Sequence, residues 1–123
     1  MLSIYSTTKA GLEFSGASGS TYKWTMGLDM SDAGKFKIAS STALGTSDRL
    51  VIDGNGQVGI ATSTPAATLD VNGYMRLKKN TSQPVACSAA YDSSIALASS
   101  YMACVCNGVS WINMASSTQA CVW

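Results

Sequence analysis

The sequence predicts a mainly β protein. No window sustains the apolar i, i+3, i+4, i+7 stripe of an amphipathic helix. Short segments with period-2 alternation recur instead, and Asn, Asp and Gly clusters of the kind that make tight turns separate them.

The segments are taken in chain order. Met1-Leu2-Ser3-Ile4-Tyr5 is strand-like and has neither the basic start nor the apolar stretch of a signal peptide, so the chain is expected to begin inside a longer protein. Tyr22–Met26 alternates. Lys35-Phe36-Lys37-Ile38 places its lysines on one strand face and Phe36 and Ile38 on the other. Arg49–Ile52 runs into Asp53-Gly54-Asn55-Gly56, a turn sequence, and Gln57–Ile60 resumes the strand as the second arm of a hairpin. Pro65 interrupts the next stretch. Thr68–Val71 is a further short strand, closed by Asn72-Gly73. Val58 and Ile60, and likewise Leu69 and Val71, are two residues apart, so each pair shares a face. Tyr74-Met75-Arg76-Leu77 reads as one more strand. Asn80–Pro84 marks a boundary between a segment 1–79 and a module 80–123. In that module Ser94–Leu97, Tyr101–Cys106 and Ser110–Met114 read as strands, with Asn107-Gly108 as a second hairpin turn. The only helix allowed is a short one near Ala86–Ala90 or Ala115–Ala120.

Composition bounds the function. The 123 residues include 8 Lys+Arg, 7 Asp+Glu and no His, a charged fraction of 12% against about 25% in an average domain. Beyond Lys79 the single charge is Asp92, and the same stretch holds all four cysteines and two of the three tryptophans. A net charge of +1 without a basic cluster argues against a nucleic-acid partner. No apolar run approaches a membrane span. The absence of His removes the commonest general base and metal ligand. Ala contributes 16 residues, Ser and Thr 30, and Phe only Phe14 and Phe36. A chain with so little apolar bulk struggles to offset a backbone ordering cost of roughly 1–2 kcal/mol per residue alone. Close packing of several copies is therefore expected.

A longer pattern runs through residues 24–73. It comprises Trp24-Thr25-Met26-Gly27-Leu28-Asp29, Gly34-Lys35-Phe36-Lys37-Ile38, Leu44-Gly45-Thr46-Ser47-Asp48-Arg49-Leu50, Gln57-Val58-Gly59-Ile60-Ala61-Thr62, Pro65 and Leu69-Asp70-Val71-Asn72-Gly73. This resembles the shaft sequences of phage tail fibres and of related bacterial trimeric fibre adhesins. Ala61 departs from the second glycine usual there. The resemblance implies an extracellular homotrimeric rod without cofactors. In many such fibres a self-cleaving chaperone domain follows the L-D-V-x-G element; the stretch after Gly73 is too short for it. The tail, Cys87…Ile95-Ala96-Leu97…Cys106-Asn107-Gly108-Val109-Ser110-Trp111, resembles a small cysteine module found at fibre ends.

Four cysteines allow three pairings. A Cys104–Cys106 bridge is disfavoured, because i and i+2 in a strand lie about 6.5–7 Å apart. That leaves Cys87–Cys106 with Cys104–Cys121, or Cys87–Cys104 with Cys106–Cys121; the resemblance favours Cys87–Cys106. The spacing lacks the knuckle of a structural zinc site, so no metal is expected. Disulfides would place the tail in an oxidising exterior.

Catalytic groups are few. Asp29 and Asp32 have the makings of an acid pair, but they read better as turn residues, with Asp48-Arg49 as a surface ion pair and Asp53 and Asp70 capping turns. No serine has a His partner, and Gly54-Asn55-Gly56 lies in a hairpin rather than before a helix, so no phosphate loop is present. The chain is read as a non-enzyme. A binding surface is better founded. Tyr91, Tyr101, Trp111, Trp123 and Asn107 combine aromatic faces with small polar groups, as sugar recognition requires. Trp111, beside a cysteine strand, reads more readily as a core side chain packed on a disulfide; Trp24 reads as shaft core and Lys78-Lys79 as a solvated face. The expected function is the distal part of a trimeric fibre that attaches a phage or bacterium to cell-surface glycans. A non-binding trimerisation cap and, less favoured, a polysaccharide depolymerase are the alternatives.

Overall fold

The computed structural model of the chain describes residues 4, 6–17, 19–116 and 119–123. It is mainly β and divides into two units, Met1–Tyr74 and Met75–Trp123. The division falls ahead of the Lys79/Asn80 boundary drawn from the charge distribution. The strand-like start at Met1–Tyr5 lies outside the described residues except for Ile4.

The first unit is a six-stranded sheet in sequence order: β1 (Lys9–Ser15), β2 (Lys23–Asp29), β3 (Lys35–Ala39), β4 (Asp48–Ile52), β5 (Val58–Ile60) and β6 (Leu69–Val71). Neighbours are antiparallel as far as β5, and β5 and β6 are parallel. The hairpin expected at Asp53–Gly56 joins β4 to β5: Asp53 Oδ1 accepts from the amides of Asn55 and Gln57, both at 2.9 Å. Asp70 likewise accepts from Ala66 N at 3.0 Å, so both carboxylates tie turns as the sequence suggests. β1 escaped the sequence reading. Its apolar residues Ala10, Leu12 and Phe14 alternate with Lys9, Gly11, Glu13 and Ser15, and all seven residues pair with β2.

Register sorts the side chains by face. Two rows cross the entire sheet. One is Leu12, Met26, Ile38, Leu50, Ile60 and Val71; the other is Ala10, Leu28, Phe36, Ile52, Val58 and Leu69. All lie on one face, together with the pair Phe14 and Trp24. The row between them, Gly11, Gly27, Lys37, Val51, Gly59 and Asp70, points the other way. This second face is the covered one. Val51 is 1% exposed, and Leu44, from the loop 40–47 that folds over it, is also 1% exposed. Thr25 Oγ1 donates to Ser41 O at 2.8 Å and helps hold the loop down.

The glycines of the covered face are steric requirements. A Cβ on Gly27 would stand 2.0 Å from the carbonyl oxygen of Ala10 on the adjacent strand. A Cβ on Gly59 would stand 2.6 Å from the carbonyl oxygen of Thr62. The connection 61–68 therefore passes directly over Gly59 on its way to β6. Ala61 opens that connection at φ 56°, the left-handed region in which glycine is the unstrained residue.

The second unit is a four-stranded sheet in the order β10 (Trp111–Asn113), β9 (Ala103–Cys106), β8 (Ile95–Ala98) and β7 (Lys79–Asn80). The strand expected at Tyr74–Leu77 is not formed; those residues are irregular and pairing begins only at Lys79. Asn107-Gly108 does turn β9 into β10. Near Ala86–Ala90 there is only a 3-10 turn, Ala89–Tyr91. The alternative helix at Ala115–Ala120 includes Ser117 and Thr118, outside the described residues, and Ala120 bridges Ile112 in antiparallel fashion. Among the described residues no helix is long and apolar enough to cross a membrane.

Replacing Ala61 with glycine should remove left-handed strain of about 1–2 kcal/mol, less about 0.4–1 kcal/mol of added chain entropy in the unfolded state. Ala61→Gly is therefore expected to raise the thermal midpoint of the first unit by a few degrees. An unchanged or lower midpoint in a calorimetric scan would contradict the strain assigned to this position.

Candidate functional site

Behind the first sheet lies a buried ion cluster, built from residues that the sequence presents as turn acids (Asp29, Asp32), a surface pair (Asp48 with Arg49) and one face of a strand (Lys35, Lys37). Lys37 is 2% exposed and Asp29 1%. The Lys37 ammonium contacts Asp32 Oδ2 at 2.7 Å, Asp29 Oδ2 at 3.0 Å and Asp48 Oδ2 at 3.3 Å. Asp29 does cap the 3-10 turn Met30–Asp32, as a turn residue should: its Oδ1 accepts from the amide and the hydroxyl of Ser31. Its other oxygen goes to Lys37. Asp48 is not paired with Arg49. Its Oδ2 faces Lys37 and its Oδ1 accepts from Gly45 N at 2.9 Å, while Arg49 Nε donates to Ser40 Oγ at 2.7 Å. Lys9 Nζ donates to Leu44 O, and Lys35 bridges Asp32 and the Ser63 carbonyl.

Burial by itself would raise the Asp29 pKa; the hydrogen bonds from Ser31 and Lys37 and the charges of Lys37 and Lys9 outweigh it and hold the carboxyl below its ordinary value. Hydrogen bonds from Lys37 and Lys35 lower Asp32 in the same way. For Lys37, burial opposes the charge, but the hydrogen bonds it donates to Asp32, Asp29 and Asp48 reverse this and raise the pKa. Neither Asp29 nor Asp32 is poised to give or take a proton near neutrality. The acid pair imagined for Asp29 and Asp32 is a structural clamp around one ammonium.

The opposite face carries no such cover. Leu12 is 45% exposed, Phe14 53%, Trp24 46% and Leu69 58%. Leu28 and Ile60 are exposed too, and Met26, Phe36, Ile38, Leu50, Ile52, Val58 and Val71 are half-buried. Trp24, expected in a shaft core, stands open on this face in the single chain. Apolar surface continuous over six strands exceeds the scattered exposure normal for a monomer.

In the second unit the cysteines pair as Cys87–Cys106 and Cys104–Cys121, with Cα separations of 5.5 and 6.2 Å. Of the two pairings the spacing left open, this is the one containing the bridge the resemblance favours. Cys104 and Cys106, two residues apart, share the inner face of β9 with Trp111, Ala96 and Ala98. Trp111 is 3% exposed, donates from Nε1 to Val85 O at 2.9 Å and meets Trp123 edge to face at 5.6 Å. Its place is the core, and it offers no face to a ligand. Trp123 packs on the same core; its Nε1 is shielded from solvent and has no hydrogen-bond partner. Asn107, proposed for sugar contact, spends its Oδ1 on the amides of Val109 and Ser110 and so shapes the hairpin turn. Tyr91, 45% exposed, ends the 3-10 turn. Tyr101 is 77% exposed in the β8–β9 turn, with the Lys79 ammonium 3.5 Å from its ring centroid.

Tyr101 also lines a groove with Arg76, Leu77, Lys78, Lys79 and Leu97. Sequence reasoning set Lys78 and Lys79 aside as solvated and did not weigh Arg76. The signal was nonetheless present: three cations stand in a stretch whose single acid is Asp92. Among the described residues no group of three or more His, Cys, Asp or Glu side chains is placed to hold a metal ion; the three carboxylates that do converge enclose the Lys37 ammonium. Comparisons with protein-family models and with curated proteins find no match for the chain.

Two outcomes test the clamp. Lys37→Met leaves Asp29 buried without its cation, so the first unit should lose about 3–5 kcal/mol; a loss below about 1 kcal/mol in denaturant titration would contradict the cluster. Because Asp29 and Asp32 lie below their ordinary 3.8, their contribution is complete above that value and is lost as pH falls through the lowered pKa. Because Lys37 lies above 10.5, its contribution is complete below that value and is lost only as pH rises through the raised pKa. Thermal midpoints should therefore be level between about pH 5 and about pH 10 with respect to this cluster, and Asp29→Asn should flatten the acid branch.

Proposed function

We propose that the chain is the distal part of an extracellular homotrimeric fibre that attaches a phage or bacterium to glycans on a target cell. The observation that carries this reading is the uncovered apolar face of the first unit. Two unbroken apolar rows run across every strand on it, while the ions are gathered on the other side. A face of this kind needs a partner, and three copies of the chain around an axis supply one without any other protein. The shaft resemblance of residues 24–73 points the same way, since its strand apolar positions, Trp24, Met26, Leu28, Phe36, Ile38, Leu50, Val58, Ile60, Leu69 and Val71, lie on that face, while its Leu44 helps cover the other. The two cystines favour an oxidising exterior. Trimeric display would multiply weak single-site contacts, by about 10²–10⁴ in avidity.

Light scattering of the purified chain is expected to give three times the chain mass. Ile38→Asp, which places a charge in the middle of one apolar row, should reduce it to monomer. The trimer should bind members of a glycan array. A monomeric wild-type chain, or a stable trimer that binds no glycan, would overturn the reading.

A further inference from the structure

We infer that the groove of the second unit is a binding site for acidic saccharides, carrying carboxylate or sulfate groups; this rests on the glycan-attachment reading and specifies its ligand class. The groove has a volume of about 720 Å³, within the range of small-ligand sites. Its walls are Arg76, Lys78 and Lys79, with Leu77, Leu97 and the Tyr101 ring.

Charge is the first argument. Arg76, Lys78 and Lys79 are all exposed, and no ion pair of the described residues involves any of them. The second unit has one acidic side chain, Asp92, which lies beside Gly108 and accepts from Ser93 N. Three cations in one groove therefore repel one another without a local anion, and an anionic ligand relieves that repulsion. A neutral sugar gives no such gain. Arg76 adds a planar fork that matches a carboxylate or a sulfate through two hydrogen bonds.

The aromatic is the second argument. Tyr101 adopts φ 63°, a conformation for which glycine or asparagine is the usual choice and which is costly for a bulky side chain. The turn holds this ring 77% exposed despite that cost. Neither burial nor turn geometry explains a tyrosine there. A pyranose does, because its C–H face stacks on an aromatic ring while its acidic substituent reaches the ammonium held 3.5 Å from the same ring. Lys79 is fixed from below by pairing of β7 with β8, in register with Leu97, so the cation and the ring keep their spacing without a ligand.

The test uses the full chain on an array that spans neutral, uronate, sialylated and sulfated glycans, with inorganic polyphosphate as a charge control. Signal is expected in the anionic members and should fall as salt rises from about 0.05 to about 0.5 M. Lys79→Gln should weaken binding at least about tenfold, and so should Tyr101→Asn, which suits the left-handed turn and so preserves the fold. Binding confined to neutral glycans, and unmoved by either substitution, would overturn the acidic-ligand assignment while leaving glycan attachment intact. Polyphosphate binding as tight as the best glycan and indifferent to Tyr101→Asn would overturn it in favour of a plain anion site. Silence across the whole array would overturn this inference together with the attachment reading.

Discussion

The first unit turns on one buried ammonium. Lys37 sits in the middle of β3 with its side chain on the covered face, and its three carboxylates come from three places: the end of β2, the 3-10 turn after it and the start of β4. Each contact therefore joins segments that the strand ladder alone leaves free. Asp48 also holds Gly45, whose missing Cβ leaves room for the Asp29 carboxylate at 3.0 Å, and Lys9 holds the neighbouring Leu44 carbonyl. A buried ion group of this kind adds little net stability over an apolar one of the same shape, because desolvation offsets the attraction. What it supplies here is uniqueness. Slipping β3 by one residue would turn Lys37 onto the apolar face and leave three carboxylates without their cation.

That constraint decides the character of both faces. With the ions, the three glycines and the loop 40–47 committed to one side, alternation forces every Leu, Ile, Met and Phe of the strands, and all their valines but Val51, to the other. The sheet is in this sense inside out as a single chain. Its buried face is polar and tight, and its open face has the composition of a core. The same logic explains the shortness of the β5–β6 connection. Parallel neighbours ordinarily need a crossover of about a dozen residues or more, yet 61–68 suffices because it runs flat over Gly59 and is pinned by Pro65, which is buried, and by Asn72 Nδ2 on the Ala61 carbonyl.

How far this was legible in the sequence depended on range. The Asp53–Gly56 and Asn107-Gly108 hairpins were readable because a turn is a local event with its own residues. So was the shared face of Val58/Ile60 and Leu69/Val71, though not that the two pairs stand directly opposite each other in parallel strands. The ion clamp was not readable. In isolation Asp29, Asp32 and Asp48 look like turn acids, and Lys37 looks like the polar half of an alternating strand; their convergence depends on β2, β3 and β4 being neighbours. β1 was missed although Ala10, Leu12 and Phe14 alternate in it; with a glycine in its interior, its strand character rests on pairing with β2. Tyr74–Leu77 failed in the other direction. It alternates well enough, but no neighbouring strand takes up its backbone groups until Lys79.

The second unit solves the shortage of apolar bulk differently, and the difference explains how it holds an exposed ring in place. Its core contains alanines, two cystines and one buried tryptophan, so covalent bonds take the part that large aliphatic side chains play elsewhere; each bridge contributes about 2–4 kcal/mol. Cys104 ties β9 to the C-terminal residues and Cys106 ties it to Cys87, so the strand is held at both of its inner positions. The β8–β9 turn that presents Tyr101 grows from that strand. A left-handed tyrosine needs surroundings that over-determine it, and a doubly bridged strand provides them. The two bridges and the buried Trp111 hold β9 in place, and that lets the exposed Tyr101 ring keep an unfavourable conformation beside Lys79.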